Sequence, residues 1–190
     1  MIQILRAADR TPIPWKNGGG RAEDIASGPA DATWDAMDWR VSRAWIEASG
    51  PFSVFGPIDR TFMVADGDGV ELSPAGMPAA RLDMTSAPFS FPGDVATGCR
   101  LLGGPVIAFN LMTARGRWRH RLARRACSGP TELAGAATLS FAVLLQGAAR
   151  MGAEALALQD AVRLPRGEHV TLDASGATIA WVELWDAPVL

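Results

Sequence analysis

Short segments in which apolar and polar residues alternate dominate this sequence. The clearest of them runs from Trp39 to Ile46. One face of this segment carries two tryptophans, a valine and an arginine, and the other includes Arg40 and Ser42. A period of two residues predicts a β-strand. The face with Arg40 and Ser42 is small and partly charged, which suits the lining of a cavity inside a barrel.

Further candidate strands follow at short intervals and are separated by turns rich in Gly, Pro and Asp. The predicted strands are Thr61–Ala65, Val70–Leu72, Phe89–Phe91, Arg100–Leu102, Val106–Met112, Trp118–Ala123, Leu139–Leu145, Ala155–Leu158, Ala161–Leu164, His169–Leu172 and Thr178–Trp185. Short helices are predicted over Arg21–Ala26 and Ala153–Gln159, and the second of these competes with a strand. Many short strands with regular turns predict an all-β sandwich or barrel with little helix.

A weak internal duplication indicates two barrels in tandem. A strand, a Gly turn and a second strand lead to a Pro-containing turn twice, once at Phe91–Asp94 and once at Leu164–His169. This is the rhythm of a small jelly-roll barrel. We therefore expect one barrel over residues 1–112, which carries the ligand pocket, and a second over residues 113–190.

Composition and charge exclude several classes of protein. The chain has 190 residues, 48% of them hydrophobic and 20% charged, with a formal net charge of −2. A net charge close to zero attracts neither nucleic acid nor an anionic membrane. The arginines between Arg115 and Arg125 are interpreted as a solvated strand face. Without the apolar core of a signal peptide, and with Cys99 and Cys127 outside any CxxC pair, we expect a cytoplasmic protein with reduced thiols.

Metal and nucleophile chemistry lack the residues that they need. A metal site requires three or four converging ligands, and the two histidines, His120 and His169, lie in separate segments. There is no Gly-x-Ser-x-Gly motif and no phosphate-binding glycine fingerprint. We therefore expect no metal and no cofactor.

The segment Pro14–Gly20 is the strongest candidate for a ligand-facing loop. It places Trp15, Lys16 and Asn17 before three consecutive glycines, which allow a close approach of the backbone to a ligand. Lys16 is the only lysine in the chain, so it is not there to supply general surface charge. The alternative interpretation is a flexible turn with a hydrated lysine.

Other polar residues lie between apolar ones. Asp59 is adjacent to Arg60 and is placed to hold an arginine in a bidentate pair, although a surface ion pair that caps a strand fits equally. Asn110 lies in an apolar run and is either structural or a ligand contact. With Lys16 and Arg40, these groups are mostly donors. If they converge, the pocket suits a small anion, most naturally a carboxylate.

These motifs resemble the HutD/Ves family. The segment Pro14–Gly20 is similar to its N-terminal signature, and its later blocks are matched in order by Asp38–Ser42, Gly50–Ser53, Ile58–Arg60 and Phe109–Thr113. The resemblance spans roughly residues 3–115 in specific motifs. It implies a cupin-type bicupin fold, here without the His-x-His block that holds metal in many cupins.

The resemblance also implies a function. HutD-type relatives are linked to histidine utilisation as sensors or buffers of an intermediate, and the Ves branch to stress responses. The implied ligand is a carboxylate such as formiminoglutamate or urocanate. The chain departs from the family pattern at Ala108 and Ala114, where an acid and a base are expected.

Three hypotheses follow, and the first is preferred. A metal-independent bicupin binds a small carboxylate metabolite and acts in the regulation or homeostasis of amino-acid catabolism, without catalysis and without nucleic acid or membrane partners. Its predicted ligand-binding residues are Trp15, Lys16, Asn17, Arg40, Ser42, Asp59, Arg60 and Asn110. Lys16 and Arg40 hold the carboxylate, Asn17 and Asn110 contact the other polar end, Asp59 orients Arg60, and Trp15 forms a wall.

The second hypothesis is a cupin-fold enzyme that uses Lys16 as a base or Schiff-base amine and Asp59 as its partner. The third is a scaffold whose tryptophans and exposed edges bind partner proteins. A homodimer is an open alternative for the assembly.

Overall fold

The chain is almost entirely β-structure. A computed structural model describes residues 1–15, 18–29, 32 and 36–187. The described strands are β1 (Gln3–Leu5), β2 (Ile13–Pro14), β3 (Gly20–Gly28), β4 (Trp39–Ile46), β5 (Gly50–Pro51), β6 (Ile58–Asp66), β7 (Val70–Pro74), β8 (Ala80–Leu82), β9 (Phe89–Pro92), β10 (Thr97–Leu101), β11 (Val106–Ala114), β12 (Trp118–Ala134), β13 (Leu139–Met151), β14 (Glu154–Leu156), β15 (Ala161–Pro165) and β16 (His169–Asp186). One 3₁₀ turn, Ala7–Asp9, follows β1. The predicted all-β class is confirmed.

The chain forms two compact units. One consists of residues 11–119, and the other combines residues 1–10 with residues 120–187. The sequence predicts a division between residues 112 and 113, with the N-terminus in the first barrel. In the structure, β1 instead pairs antiparallel with β15, with Ile4 opposite Val162. This pairing carries the first ten residues into the second unit.

The 11–119 unit is built from two sheets. Its larger sheet has the strand order β2-β3-β4-β11-β6-β9, and its smaller sheet has the order β5-β10-β7-β8. Each sheet turns alternate side chains inward. The main core cluster consists of Ile46, Phe52, Phe62, Val64, Val70, Leu72, Leu82, Phe91, Cys99, Val106 and Ala108. A smaller cluster consists of Met37, Ile58, Met112 and Ala114.

The second unit is one sheet wrapped around its own core. The strand order is β1-β15-β13-β16-β12, and β14 pairs with the end of β13. The strands β13 and β16 bend through register shifts between Leu144 and Ala148. At this bend Gly147 has φ +74°, and a Cβ there would lie 2.2 Å from the carbonyl oxygen of Gly176. Only glycine fits this close approach of two backbones.

The N-terminal strand is fixed to the second unit by Asp160. This carboxylate is almost fully buried and accepts a hydrogen bond from Arg6 Nη1 at 2.9 Å. It also accepts from the backbone N–H of Ala7 at 2.7 Å and of Ala157 at 3.0 Å. Burial alone would raise the pKa of Asp160, but these donors outweigh it and hold the pKa below the usual range.

The two helices predicted from the sequence are wrong. The segment Arg21–Ala26 lies within β3, and Ala153–Gln159 contains β14 and a turn. Pairing with β4 through eight residues overrides the local helix preference of the first segment. No helix in the described residues is long and apolar enough to cross a membrane.

The strands predicted over His169–Leu172 and Thr178–Trp185 are parts of one strand, β16. The glycine between them, Gly176, has φ +55° and lies where β16 bends, so the strand continues through it. The sequence shows the glycine, but it does not show whether a strand ends or bends there.

Candidate functional site

Four predicted ligand-binding residues share the interior face of the larger sheet. In β4 and β11, Arg40 lies opposite Met112 and Ser42 lies opposite Asn110. In β11 and β6, Met112 lies opposite Arg60. Directly opposed residues of neighbouring strands point to the same face. Arg40, Ser42, Arg60 and Asn110 therefore lie on one face, as the alternation in Trp39–Ile46 predicted for its two members.

Arg60 is the central residue of this face. It is only 6% exposed. Its Nε and Nη2 atoms donate to Asn110 Oδ1 at 3.1 and 2.7 Å. Its guanidinium carbon lies 4.4 Å from the ring centroid of Phe52 and 5.3 Å from that of Phe91. These contacts fix the guanidinium in place, but none of the contacting groups carries a negative charge.

No carboxylate of the described part of the chain forms an ion pair with Arg60. Desolvation lowers its pKa to about 9, and the thiol of Cys99 and the charge of Arg40 have smaller effects. Arg60 is therefore protonated at pH 7. A buried cation with only neutral partners is energetically unfavourable.

Arg40 differs from Arg60 because a carboxylate faces it. Its guanidinium forms an ion pair and a hydrogen bond with Asp24. Burial lowers the pKa of Arg40, and the Asp24 carboxylate opposes this shift. The Asp24 side chain remains 47% exposed. The pair thus lies at the edge of the interior face. Within the described chain, Arg60 is the cation of this face whose charge no carboxylate compensates.

Three polar atoms on this face have no protein partner in the described part of the chain. Arg60 Nη1, Asn110 Nδ2 and Ser42 Oγ make no hydrogen bond to a described residue. The amide orientation of Asn110 is fixed by the two donors of Arg60, which require an oxygen. Nη1 and Nδ2 are donors, and the hydroxyl can donate as well. The face therefore presents hydrogen-bond donors around a cation.

A pocket of about 270 Å³ lies next to this face. Its lining consists of Trp15, Gly18, Gly19, Ile46, Ala48, Ser49, Gly50, Pro51 and Phe52. Trp15 meets Phe52 edge to face, with ring centroids 6.4 Å apart. The predicted ligand residues Lys16 and Asn17 fall outside the described residues, between the lining residues Trp15 and Gly18 in the chain.

Asp59 does not orient Arg60, contrary to the prediction. Its carboxylate accepts from Arg115 Nε at 2.8 Å, and its side chain is 50% exposed. Arg115 also donates to both oxygens of Asp94 at 2.8 and 3.1 Å. Adjacent residues of a strand point to opposite faces, so Asp59 and Arg60 cannot face the same site. The alternative of a surface ion pair describes Asp59 better.

Three residues of the site were missed from the sequence. The sequence predicts a helix at Asp24, and its place opposite Ser42 depends on the pairing of β3 with β4. Phe52 belongs to the block Gly50–Ser53 of the family resemblance and Phe91 to the predicted strand Phe89–Phe91, and neither is predicted as a site residue. Their role depends on the packing of two sheets, which no local pattern carries.

The described part of the chain contains no group of three or more His, Cys, Asp or Glu side chains that could hold a metal ion. His169 is exposed, with Nδ1 3.9 Å from Glu132 Oε1.

A comparison with protein families identifies the family of this chain. The model of the HutD family matches residues 7–182. This chain belongs to the HutD family.

Relatives of this HutD-family chain support the assignment. An uncharacterized 21.2 kDa protein in the hutC 3′ region of Pseudomonas putida is 38% identical over 175 residues, which cover 89% of this chain and 90% of the relative. Protein Ves of Citrobacter koseri is 32% identical over 109 residues, which cover 57% of this chain and 56% of Ves. The predicted HutD/Ves resemblance is confirmed.

Solved structures agree with the fold. HutD from Pseudomonas fluorescens SBW25, solved in a formate condition, superposes with a TM-score of 0.82 at 29% identity and covers 98% of this chain and 99% of its own. YhhW from Escherichia coli has a TM-score of 0.70 at 10% identity, over 100% of this chain and 99% of its own, and shows the fold alone. The predicted cupin-type fold is confirmed and has two β-units. The sheets of the described residues are open and do not form fully closed barrels.

Proposed function

We propose that this HutD-family protein binds a small carboxylate metabolite on the interior face of the 11–119 unit and has a regulatory or homeostatic role. The observation that carries the proposal is Arg60, a buried cation with no carboxylate partner in the described chain. The Pseudomonas putida relative is named for its place in a hutC 3′ region. This supports a role beside histidine catabolism.

A carboxylate fits the atoms that lack partners. One of its oxygens accepts from Arg60 Nη1, and the other accepts from Asn110 Nδ2 or Ser42 Oγ. Charge-assisted hydrogen bonds of this kind are about twice as strong as neutral ones. In a face shielded from water they are also less screened than at the surface. The same bonds neutralise Arg60 and satisfy polar atoms that the chain leaves open.

The remainder of the ligand occupies the pocket between Trp15 and Phe52. Its walls are largely glycine, alanine and aromatic surface, which suits a short carbon chain or a small planar ring. Formiminoglutamate and urocanate both combine a carboxylate with such a body. Lys16 and Asn17, which the sequence predicts to contact the ligand, flank this wall in the chain.

An enzyme that uses Lys16 and Asp59 is less well supported. The Asp59 carboxylate is committed to Arg115 on the face opposite to Arg60. A general base must lie within hydrogen-bonding reach of the atom that it deprotonates. The geometry therefore favours binding over catalysis.

A thermal-shift screen tests the proposal. Urocanate, formiminoglutamate, glutamate, histidine and formate are added to the purified protein with and without a chelator. A ligand that binds only the folded state raises the melting temperature with the logarithm of its concentration. We expect a shift with at least one carboxylate that a chelator leaves unchanged.

Two variants locate the site. Arg60→Met removes the uncompensated cation, and Arg81→Met removes an exposed arginine that pairs with Glu71 at 2.9 Å. We expect the shift to disappear in Arg60→Met and to persist in Arg81→Met. A shift that survives in Arg60→Met, or a panel without any shift, would contradict the proposed function.

A further inference from the structure

Phe52 belongs both to the open pocket and to the buried cationic face. Its ring lines the pocket beside Trp15. The same ring lies 4.4 Å from the guanidinium carbon of Arg60 and 5.9 Å from the ring of Phe62. Arg60 itself does not line the pocket. Phe52 therefore separates the space that a ligand enters from the cation that attracts its carboxylate.

The backbone of Phe52 is held by hydrogen bonds, and its side chain is not. Gly50 and Pro51 pair with Cys99 and Gly98 of β10. The N–H of Phe52 donates to the carbonyl oxygen of Thr97 at 2.9 Å. These bonds hold the main chain to the smaller sheet, whereas the ring makes only apolar and cation–π contacts that a rotamer change can exchange.

We infer that the Phe52 ring is a gate that controls access of the ligand carboxylate to Arg60. When the ring lies over the guanidinium it shields the cation from water. When an anion arrives, the ring turns aside and the carboxylate takes its place. The charged hydrogen bonds that the carboxylate makes with Arg60 replace the cation–π contact that the ring gives up. The inference rests on the proposed function, since it names the guest as a carboxylate.

Access can be measured without any carboxylate. Phenylglyoxal modifies accessible guanidinium groups, and peptide mapping by mass spectrometry assigns the modified arginines. Arg81, with a side chain that is 72% exposed, is the positive control. Arg43, which pairs with the buried Glu23 at 2.8 Å, reports on the integrity of the fold.

The gate predicts which arginines phenylglyoxal modifies in each protein. In the wild type, Arg81 is modified and both Arg60 and Arg43 are protected. In Phe52→Ala, Arg60 is modified at least about tenfold faster while Arg43 remains protected, because modification of a buried group follows the population of its open state. If Phe52→Ala also exposes Arg43, the milder Phe52→Leu is judged by the same criterion.

Three results would overturn the gate. Arg60 could stay protected in both variants, it could react in the wild type as fast as Arg81, or it could react only together with Arg43 in both variants. A separate arm measures the association rate of urocanate and formate, which we expect to be faster in Phe52→Leu. If no carboxylate bound to the protein while phenylglyoxal modified Arg60 as expected, the proposed function would be refuted. The inferred gate would still stand.

Discussion

The variant Arg60→Met tests whether Arg60 is kept for binding at a cost in stability. Desolvation lowers the pKa of Arg60 to about 9. Since one pKa unit corresponds to about 1.4 kcal/mol, keeping this group charged in the folded state costs on the order of 5 kcal/mol. Methionine has an unbranched apolar chain that fits among Phe52 and Phe91. The substitution therefore removes a large unfavourable contribution.

Arg60→Met also removes favourable interactions, and their total is similar in size to the unfavourable contribution. Two cation–π contacts disappear, at about 1 kcal/mol each. The Asn110 oxygen loses both of its donors, which costs about 1 to 3 kcal/mol in a buried position. The sum leaves the free energy of unfolding within about 2 kcal/mol of the wild type, on either side. Arg60→Met is thus expected to fold and to lose carboxylate binding.

Arg43→Met is the matched control. Arg43 is also largely buried, but it pairs with the carboxylate of Glu23 at 2.8 Å, and the Glu23 side chain is 2% exposed. Removing one partner of a buried ion pair costs about 3 to 5 kcal/mol. Urea unfolding at pH 7, followed by tryptophan fluorescence, compares the two variants. A loss above about 3 kcal/mol in Arg60→Met, equal to that in Arg43→Met, would refute the reasoning.

The pH dependence provides a second readout of the same variant. The pKa of Arg60 is lower in the folded protein than in the unfolded chain, so above about pH 9 the unfolded chain binds more protons. Stability of the wild type therefore rises relative to Arg60→Met as the pH increases through 9. Below about pH 8 the difference is constant. A wild type that loses stability relative to the variant in this range would contradict the assigned shift.

Three further predictions concern other residues. Asp24→Asn leaves Arg40 without its carboxylate and should tighten carboxylate binding several-fold, an effect that titrations at increasing salt should diminish; unchanged affinity would contradict the charge assignment. Asp160→Asn should lower the free energy of unfolding by about 3 kcal/mol at pH 7, and because the pKa of Asp160 is lowered in the folded state, urea curves of variant and wild type should converge as the pH falls below about 4. Burial raises the pKa of the Cys99 thiol to about 11, so a thiol reagent at pH 8 should modify Cys99 only after denaturation.

Alternation predicted most of the strands and the inward face of β4. The pattern in Trp39–Ile46 predicts that Arg40 and Ser42 share one face, and in the structure both lie on the interior face of the larger sheet with Asn110. Such patterns are reliable because side chains in a strand alternate strictly between two faces. The same rule separates Asp59 from Arg60, and applying it to Ile58–Asp66 would have prevented the wrong pairing.

Local sequence patterns do not show which distant segments of the chain pair. The strand β1 joins the second unit because Gln3, Ile4 and Leu5 pair with residues more than 150 positions later. The partners of Arg60 come from the loop at Phe52, from β9 and from β11, and only the packed sheets bring these segments together. A sequence shows which side chains are suited to a site, whereas the contacts between distant segments decide which of them meet.

The central claim is that a carboxylate binds against Arg60. Isothermal titration of urocanate and of formate into the wild type, Arg60→Met and Arg81→Met tests it most directly. The account predicts one site per chain in the wild type and in Arg81→Met, and an affinity at least about thirtyfold lower in Arg60→Met, as expected when a charged hydrogen-bond partner is removed. Equal affinity of all three proteins for the same carboxylate would contradict it.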